Sequence, residues 1–259
     1  MSYRWRKIVL LFTINWVCLC GVGFTAGLSI NEATGTVNAG SDMLRQVMLT
    51  VSSTEKVSSM QFDIEYSSVL VEITNIVLGA SAISAQKQLS FNRLQPGKVR
   101  VVIAGLNQNV IPSGVVTEVQ WAVCKSALAV QTEIRITNPV LSTPQGTQVP
   151  VTTITNCSLT ILRNSYHTAD KNKDWKISLE ELLRVIQFYN SRGVYCDCIS
   201  EDGYSPNATA SQGCFPHSSD YYNGHDWRIN LYELLRLIQI YNYGSYHPSP
   251  NTEDGFSLG

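Results

Sequence analysis

The chain has 259 residues, of which 44% are hydrophobic and 15% are charged, so it is long enough to form two domains with their own cores. Its formal net charge of -1 gives no long-range attraction to nucleic acid or anionic lipid. Composition therefore argues against a nucleic-acid-binding protein, and partners have to be sought in local features.

The N-terminus has the pattern of a secretory signal peptide. Three basic residues within positions 4–7 precede an apolar run, Ile8 to Cys20, and small residues follow at Thr25 to Gly27. We expect residues 1–27 to be removed on export, which predicts a secreted, extracellular protein. Asn15 and the following glycines leave too short an apolar span for the about 20 residues of a transmembrane helix. No integral membrane segment is expected after cleavage.

Residues 28–163 show alternating hydrophobic and polar positions, which is the period of half-buried strands. Turn sequences separate the alternating runs, and no long helical pattern intervenes. We expect eight or nine strands in an all-β sandwich of the jelly-roll type, and leave open whether 80–88 is helix or loop. The alternating positions are Val47, Leu49, Val51, Met60, Phe62, Ile64, Tyr66, Val99, Val101, Ile103, Val119, Trp121, Val123, Ile134, Ile136, Leu159 and Ile161.

Residues 164–259 contain a duplicated segment. Asp174 to Asn190 reads DWKISLEELLRVIQFYN and Asp226 to Asn242 reads DWRINLYELLRLIQIYN, within a repeat of about 50 residues. Apolar residues at i, i+3, i+4 and i+7 predict two short amphipathic helices with one buried face each. The predicted buried faces consist of Leu179, Leu182, Leu183 and Ile186, and of Leu231, Leu234, Leu235 and Ile238. The second domain is therefore a small α-helical unit of two loop–helix repeats.

The first copy carries oxygen donors at the spacing of a calcium-binding loop, and the helix begins at the last of them. The predicted ligands are Asp170, Asn172, Asp174, the Lys176 carbonyl, Ser178 and Glu181. Trp175 stands where glycine is usual, at a cost of about 1 kcal/mol. An ordinary capped helix, with Ser178 as the cap and Glu181 completing a capping box, is the alternative.

The second copy has two extra residues at the front of its loop, which we expect to distort that part of it. For this copy, the sequence favours metal binding and a plain capped helix equally. The candidate ligands are Asp220, Asp226, the Arg228 carbonyl, Asn230 and Glu233. His167 and His217 precede the two loops and are expected to bond the loop backbone rather than calcium, which prefers oxygen.

Signal cleavage would leave five cysteines, so at least one is unpaired or intermolecular. Cys124 and Cys157 fall in separate predicted strands and are a candidate pair across a sheet, while Cys214 can pair with Cys196 or Cys198 but not with both. A zinc site is disfavoured because Cys-x-Cys lacks the usual two to four intervening residues.

Each of the two predicted domains resembles a known family. The duplicated loop–helix unit resembles the dockerin module. The sandwich resembles a cohesin, which is close in fold to carbohydrate-binding modules. The second resemblance rests on Val57 to Tyr66 (VSSMQFDIEY), Pro96 to Gly105 (PGKVRVVIAG) and Cys157 to Ile161 (CSLTI).

The resemblance implies a non-catalytic assembly protein that binds Ca²⁺ and takes part in secreted polysaccharide-degrading systems. Its implied partners are cohesin- or dockerin-bearing proteins, with self-association also open. In dockerins the helices dock, and the matching positions form a candidate docking surface of Leu179, Glu180, Arg184, Gln187, Leu231, Tyr232, Arg236 and Gln239.

Two other functions are weighed against assembly. Carbohydrate or polysaccharide binding would use Phe62, Tyr66, Phe91 and Trp121, whose alternation favours a core position instead. Glycoside hydrolysis would need paired carboxylates, and the candidates lie on strand phases that predict solvent exposure. They are Asp63, Glu65, Glu118 and Glu133. We therefore expect no enzyme activity.

Overall fold

The computed structural model describes residues 26–206 and 211–259. Residues 1–25 of the predicted signal peptide lie outside the described residues, and its last two positions, Ala26 and Gly27, begin the first strand. Among the described residues, no helix has both the length and the hydropathy needed to span a membrane.

The first region is a sandwich of two sheets, and its described residues contain twelve strands and a short helix. The strands are β1 Ala26–Ile30, β2 Thr34–Asn38, β3 Asp42–Val51, β4 Ser59–Glu65, β5 Val71–Leu78, β6 Gln88–Gln95, β7 Lys98–Ala104, β8 Gly114–Val123, β9 Gln131–Ser142, β10 Gln148–Val149, β11 Val151–Thr155 and β12 Cys157–Leu162, with helix α1 at Ala80–Ser84.

One sheet has the order β11-β1-β3-β8-β5, and the other has the order β2-β12-β9-β4-β7-β6, with β10 paired to β9. Pairing is antiparallel except between β1 and β11 and between β2 and β12. The predicted sandwich is therefore confirmed. It has more strands than expected, because edge strands such as β2 and β6 carry few buried apolar residues.

The core lies between the sheets and takes the inward side chain of each alternating pair. Phe62 and Trp121 are fully buried, and Tyr66 packs edge-on against Trp121 with ring centroids 5.0 Å apart. Of the aromatics considered for sugar binding, only Phe91, on edge strand β6, is largely exposed. The core interpretation of the others agrees with the structure.

The outer face of the β4–β7 pair carries an ion-pair network centred on Asp63. Arg100 donates to both carboxylate oxygens of Asp63, from Nε at 2.7 Å and Nη2 at 3.0 Å, and Asn138 donates at 3.0 Å. Lys98 lies 3.4 Å from Asp63 and bonds Glu65 at 2.7 Å. These side chains bury Asp63 completely, so its predicted exposure was wrong. Hydrogen bonding from Arg100 lowers the pKa of Asp63 to about 2.

The second region contains two 13-residue helices, each followed by a two-stranded hairpin that the sequence did not predict. Helix α2 is Leu179–Ser191 and α3 is Leu231–Tyr243; the hairpin strands are β13 Tyr195–Cys196, β14 Tyr204–Ser205, β15 Tyr246–Pro248 and β16 Phe256–Leu258. The helices pack on each other around a core that is separate from that of the sandwich.

The predicted buried helix faces were partly wrong. Four of their leucines are exposed by 47–57%, namely Leu179, Leu183, Leu231 and Leu235. Leu182 and Leu234 are buried as predicted. The helices also bury Val185, Phe188, Leu237 and Ile240, which were not predicted. The leucine pairs at i and i+4 form a neighbouring stripe of each helix, and periodicity alone does not say which stripe meets the core.

The disulfides also differ from expectation. Cys124 pairs with Cys198, and Cys196 pairs with Cys214, while Cys157 is a buried free cysteine. The candidate Cys124–Cys157 pair is not formed, because Cys157 begins β12 in one sheet whereas Cys124 follows β8 in the other. The Cys124–Cys198 bond joins the two regions covalently.

Replacing Asp63 with Asn removes the charge that Arg100 and Lys98 surround. We expect the free energy of unfolding at pH 7 to fall by roughly 2 kcal/mol in urea denaturation. The contribution of a carboxylate with a lowered pKa is present above its unfolded pKa and is lost as pH falls through about 2. The difference between wild type and variant should therefore shrink on acidification. Glu133→Gln, which breaks an exposed pair with Arg135, is the control and should cost no more than about 1 kcal/mol. An equal loss in both variants contradicts the assignment.

Candidate functional site

The two repeats begin their helices in the same way, through a glutamate that reaches back over the helix start. Ser178 Oγ accepts from the Glu181 amide at 3.3 Å, and Glu181 Oε2 accepts from the Ser178 amide at 2.8 Å. Asn230 and Glu233 form the equivalent bonds at 3.1 and 2.7 Å. Both helices therefore have complete capping boxes, as the capped-helix alternative requires.

The capping glutamates also hold the loops in front of the helices. Glu181 Oε1 accepts from the Lys171 amide at 2.7 Å, and Glu233 Oε1 accepts from the Tyr222 amide at 2.9 Å. One carboxylate thus joins the first residues of each loop to the start of its helix. A capped helix and a closed loop occur together at each site and are not alternatives.

Loop 1, residues 170–181, turns its remaining oxygens toward its own backbone. Asp170 accepts from the amides of Asp174 at 3.2 Å and Trp175 at 3.0 Å. Asn172 Oδ1 accepts from the Asp174 amide at 3.2 Å, and Asp174 Oδ1 accepts from the Lys176 amide at 2.9 Å. Asp170 and Glu181 are buried at the base of the loop. The other predicted ligand residues, Asn172, Asp174, Lys176 and Ser178, are exposed at its rim.

Loop 2, residues 220–233, keeps the same base despite its insertion. Asp220 accepts from the amides of Asp226 at 3.1 Å and Trp227 at 2.9 Å, and Asp226 Oδ1 accepts from the Arg228 amide at 3.0 Å. Asn223, Gly224 and His225 all have positive φ and form a bend that takes up the two extra residues. The distortion expected at the front of the loop is confined to this bend. Asn223 in this bend lies three residues before Asp226, whereas Asn172 of loop 1 lies two residues before Asp174.

Four carboxylates in these loops are buried without a cationic partner in the described part of the chain: Asp170, Glu181, Asp220 and Glu233. Burial raises the pKa of Asp220 to about 6 and raises the pKa values of Asp170 and Glu233. Buried carboxylates normally pair with a cation or coordinate a metal.

The residues present fit calcium better than a softer metal. In the described ranges, no three His, Cys, Asp or Glu side chains are close enough together to hold a metal by themselves. A cation in loop 1 would also use the side-chain oxygen of Asn172, the hydroxyl of Ser178 and the backbone carbonyl of Lys176. Such mixed oxygen donors are the ligands of calcium.

Trp175 and Trp227 occupy the glycine position of each loop in the left-handed conformation, with φ of 64° and 62°. Trp175 offsets this strain by packing between Tyr166, with centroids 4.1 Å apart, and Tyr246, at 5.5 Å. Its carbonyl accepts from the Tyr246 amide at 3.0 Å. The Trp227 carbonyl accepts from the Val194 amide at 2.9 Å. Each loop is therefore closed by the segment that follows the helix of the other copy.

Tyr246 is a site residue that the sequence did not reveal. Its hydroxyl donates to Asp170 at 2.6 Å and accepts from the His167 amide at 3.0 Å. The matching position of the first copy is Val194, so loop 2 receives no such bond. The difference could have been found from the sequence only by extending the alignment of the two copies beyond the helices.

The two histidines lie between the copies, with ring centroids 5.9 Å apart. His167 Nδ1 accepts from the Ala169 amide and His217 Nδ1 from the Ser219 amide, each at 3.1 Å. Burial lowers the pKa of each to about 3, so both are neutral. They bond the loop backbone, as expected.

The predicted docking surface divides into two groups. Arg184 bonds Asp202 at 2.8 Å and Arg236 bonds Asp254 at 2.7 Å, and both also bond hairpin carbonyls. These arginines hold the hairpins to the helices. The remaining predicted residues are exposed: Leu179, Glu180, Gln187, Leu231, Tyr232 and Gln239. Leu183 and Leu235, expected in the core, join this exposed stripe.

Residues 26–162, more than half of the chain, match the model of the cohesin domain family. The chain therefore belongs to the cohesin family. A cohesin domain is a non-catalytic protein-interaction module, and this one is followed by the duplicated loop–helix region. No curated protein matches the chain.

Solved cohesins are similar over the same part. The sixth cohesin of Acetivibrio cellulolyticus scaffoldin B, solved in complex with a Cel5 dockerin, shares 20% identity. The match covers 53% of this chain and 99% of that chain, with a TM-score of 0.47. A non-cellulosomal cohesin from Archaeoglobus fulgidus shares 19% identity over 53% of this chain and 91% of its own, with a TM-score of 0.44. A cohesin–dockerin complex from Clostridium thermocellum shares 15% identity over 53% and 99%, with a TM-score of 0.47.

Trp175→Gly tests the balance between strain and packing in loop 1. The change relieves about 1 kcal/mol of left-handed strain but removes the ring between Tyr166 and Tyr246. We expect a net loss of about 1–2 kcal/mol in the free energy of unfolding. The matched control is Lys173→Gly, because Lys173 is exposed and also left-handed, with φ of 61°. It should stabilise by up to about 1 kcal/mol. Stabilisation of both variants in chemical denaturation would contradict the packing role of Trp175.

Proposed function

We propose that this protein is a secreted, non-catalytic adaptor that joins dockerin-bearing and cohesin-bearing proteins, with calcium holding its C-terminal docking unit in shape. The observation that carries the proposal is the direct succession of a cohesin domain and a duplicated loop–helix unit with buried carboxylates. One chain would then contain both halves of a recognition pair. Self-association is part of the proposal. Polysaccharide-degrading assemblies are its proposed setting.

The sandwich is the proposed receptor for dockerins. Its family membership supports this role, since solved relatives from Acetivibrio cellulolyticus and Clostridium thermocellum are complexes with dockerins. Cross-strand ion pairs hold the side chains of the outer face around Asp63 in place, so this face can meet a partner without rearranging.

The two helices are the proposed plug for cohesins. Their exposed leucines lie at matching positions of the two copies, and Tyr232 adds an aromatic ring that is 76% exposed. Tyr222 stacks beside Tyr232, with centroids 6.2 Å apart. Apolar stripes rimmed by polar residues are typical of protein interaction surfaces, and tyrosine is frequent among residues that dominate binding energy.

Calcium is the proposed ligand of the loops, and export is supported by the two disulfides, which form and persist in oxidising compartments. A calcium ion would neutralise the buried carboxylates that have no cationic partner. It would also fix the loop that positions the first turn of each helix. The docking surface would then depend on calcium through helix placement, without calcium touching the partner.

Calcium binding is tested by thermal unfolding of residues 26–259 with calcium or magnesium. Calcium at about 1,000 times its Kd should stabilise the C-terminal region by about 4 kcal/mol per site. Glu181→Gln should remove the stabilisation due to loop 1, and Glu233→Gln that due to loop 2. Glu180→Gln is the matched control, because Glu180 is an exposed neighbour of Glu181 in the same helix turn and is not one of the predicted ligands. Absence of a calcium-dependent shift in wild type, or an equal loss with Glu180→Gln, would count against the site.

Partner binding is tested by surface plasmon resonance against panels of purified dockerin-bearing and cohesin-bearing proteins. Leu183→Asp with Leu235→Asp should weaken cohesin binding at least tenfold, equivalent to about 1.4 kcal/mol. Dockerin binding by the sandwich should be unchanged. Leu106→Asp is the control, because Leu106 is fully exposed on the sandwich. Failure of wild type to bind any member of either panel would refute the adaptor proposal.

A further inference from the structure

The loop–helix region is mounted on one end of the sandwich through several contacts. Arg163, just after β12, donates to the carbonyls of Lys125 at 3.2 Å and Ala127 at 3.0 Å. Its guanidinium also lies 3.8 Å from the ring centroid of Phe215. The Phe215 amide donates to the Ser126 carbonyl at 2.8 Å. The second region therefore contacts the sandwich mainly at the segment 124–127, between β8 and β9.

The Cys124–Cys198 disulfide links the two regions covalently at the same end of the sandwich. It lies beside a close backbone contact, since a Cβ added to Gly203 would stand 2.7 Å from the Ser126 amide nitrogen. Helix α2 thus lies between two attachments, the chain at Arg163 and the disulfide at Cys198. The Phe215 contact adds a third attachment before loop 2 and α3.

The two disulfides differ in their access to solvent. Cys196 and Cys214 are both buried in the core of the loop–helix region. Cys124 is buried, but Cys198 is half-buried; it lines a groove of about 880 Å³ between the sandwich and the second region, which Cys196 also lines while being only 8% exposed. Thiol–disulfide exchange requires access to a sulfur, and Cys198 is the least buried of the four disulfide-bonded cysteines.

We propose that Cys124–Cys198 is a reducible clamp that fixes the docking helices on the end of their own sandwich. While the clamp is closed, the stripe of exposed leucines stays uncovered by the sandwich of the same chain. Once it opens, the loop–helix region pivots about residues 163–166, because the contacts that remain come from the 124–127 segment, Arg163 and Phe215 and not from extensive packing of helices on strands, and such interfaces permit domain motion. The value of the clamp for docking rests on the proposed function, whereas the clamp itself does not.

The opening step needs a small dithiol as the reductant. Its thiolate attacks Cys198 Sγ, the Sγ–Sγ bond breaks, and Cys124 leaves as a thiolate that takes up a proton. The second thiol of the reagent then displaces Cys198 and closes the oxidised reagent as a disulfide. Two protein thiols form for each dithiol consumed. The Cys124 sulfur already lies 3.8 Å from the Ser68 carbonyl, which can accept from the thiol.

The first experiment titrates the folded protein with dithiothreitol in the presence of calcium, followed by alkylation and peptide mass spectrometry. We expect Cys124 and Cys198 to be labelled at a dithiol concentration at least tenfold lower than Cys196 and Cys214. Buried Cys157 should stay unlabelled and reports any unfolding. Reduction of both disulfides at one concentration, or of Cys196–Cys214 first, overturns the proposal.

The second experiment measures X-ray scattering in solution from wild type and from the double variant Cys124→Ser, Cys198→Ser. The variant should show a larger radius of gyration and a broader distance distribution, with thermal unfolding confirming that both regions are folded. An unchanged distribution in a folded variant overturns the clamp. If the variant does not fold, the partly reduced wild type gives the same comparison. Neither readout involves a dockerin, a cohesin or a polysaccharide, so a failure of the proposed function leaves these results intact and distinguishable.

Discussion

The second half of the structure depends on how Glu181 and Glu233 divide their two oxygens. One oxygen caps the helix, and the other accepts from an amide at the front of the loop. Both bridging carboxylates are buried, and burial raises the pKa of Glu233. In the proposed calcium site, the carboxylate that orders the helix start would also be the group that the cation neutralises. Helix geometry and the proposed metal binding would then depend on a single side chain in each copy.

The sandwich could be predicted from sequence because its information is local. Inward residues such as Phe62 and Val101 alternate with outward ones, and this pattern gives both strand and core. Edge strands were missed because β6 has nothing to bury on most of its length. The prediction for Asp63 failed because its phase pointed outward, and phase does not reveal that Arg100 and Lys98 would cover it from the next strand.

The loop–helix region was predictable in its two helices and in the capping box of the first, which are encoded within short stretches of chain. The sequence did not predict the contacts between residues far apart in the chain. Tyr246 reaches Asp170 from another repeat, and Cys198 bonds Cys124 in another domain, across separations of 76 and 74 residues. The prediction that the exposed leucines would be buried failed for a different reason. Two adjacent apolar stripes share one period, and only the packing of the partner helix decides between them.

The closure of each loop by the other copy has a consequence for how such a region can arise. The Trp175 carbonyl accepts from Tyr246, and the Trp227 carbonyl accepts from Val194, so neither copy completes this backbone hydrogen bond by itself. A single copy would need water or a second copy to supply the missing donor. The present region therefore holds in one chain two repeats that each complete a loop of the other.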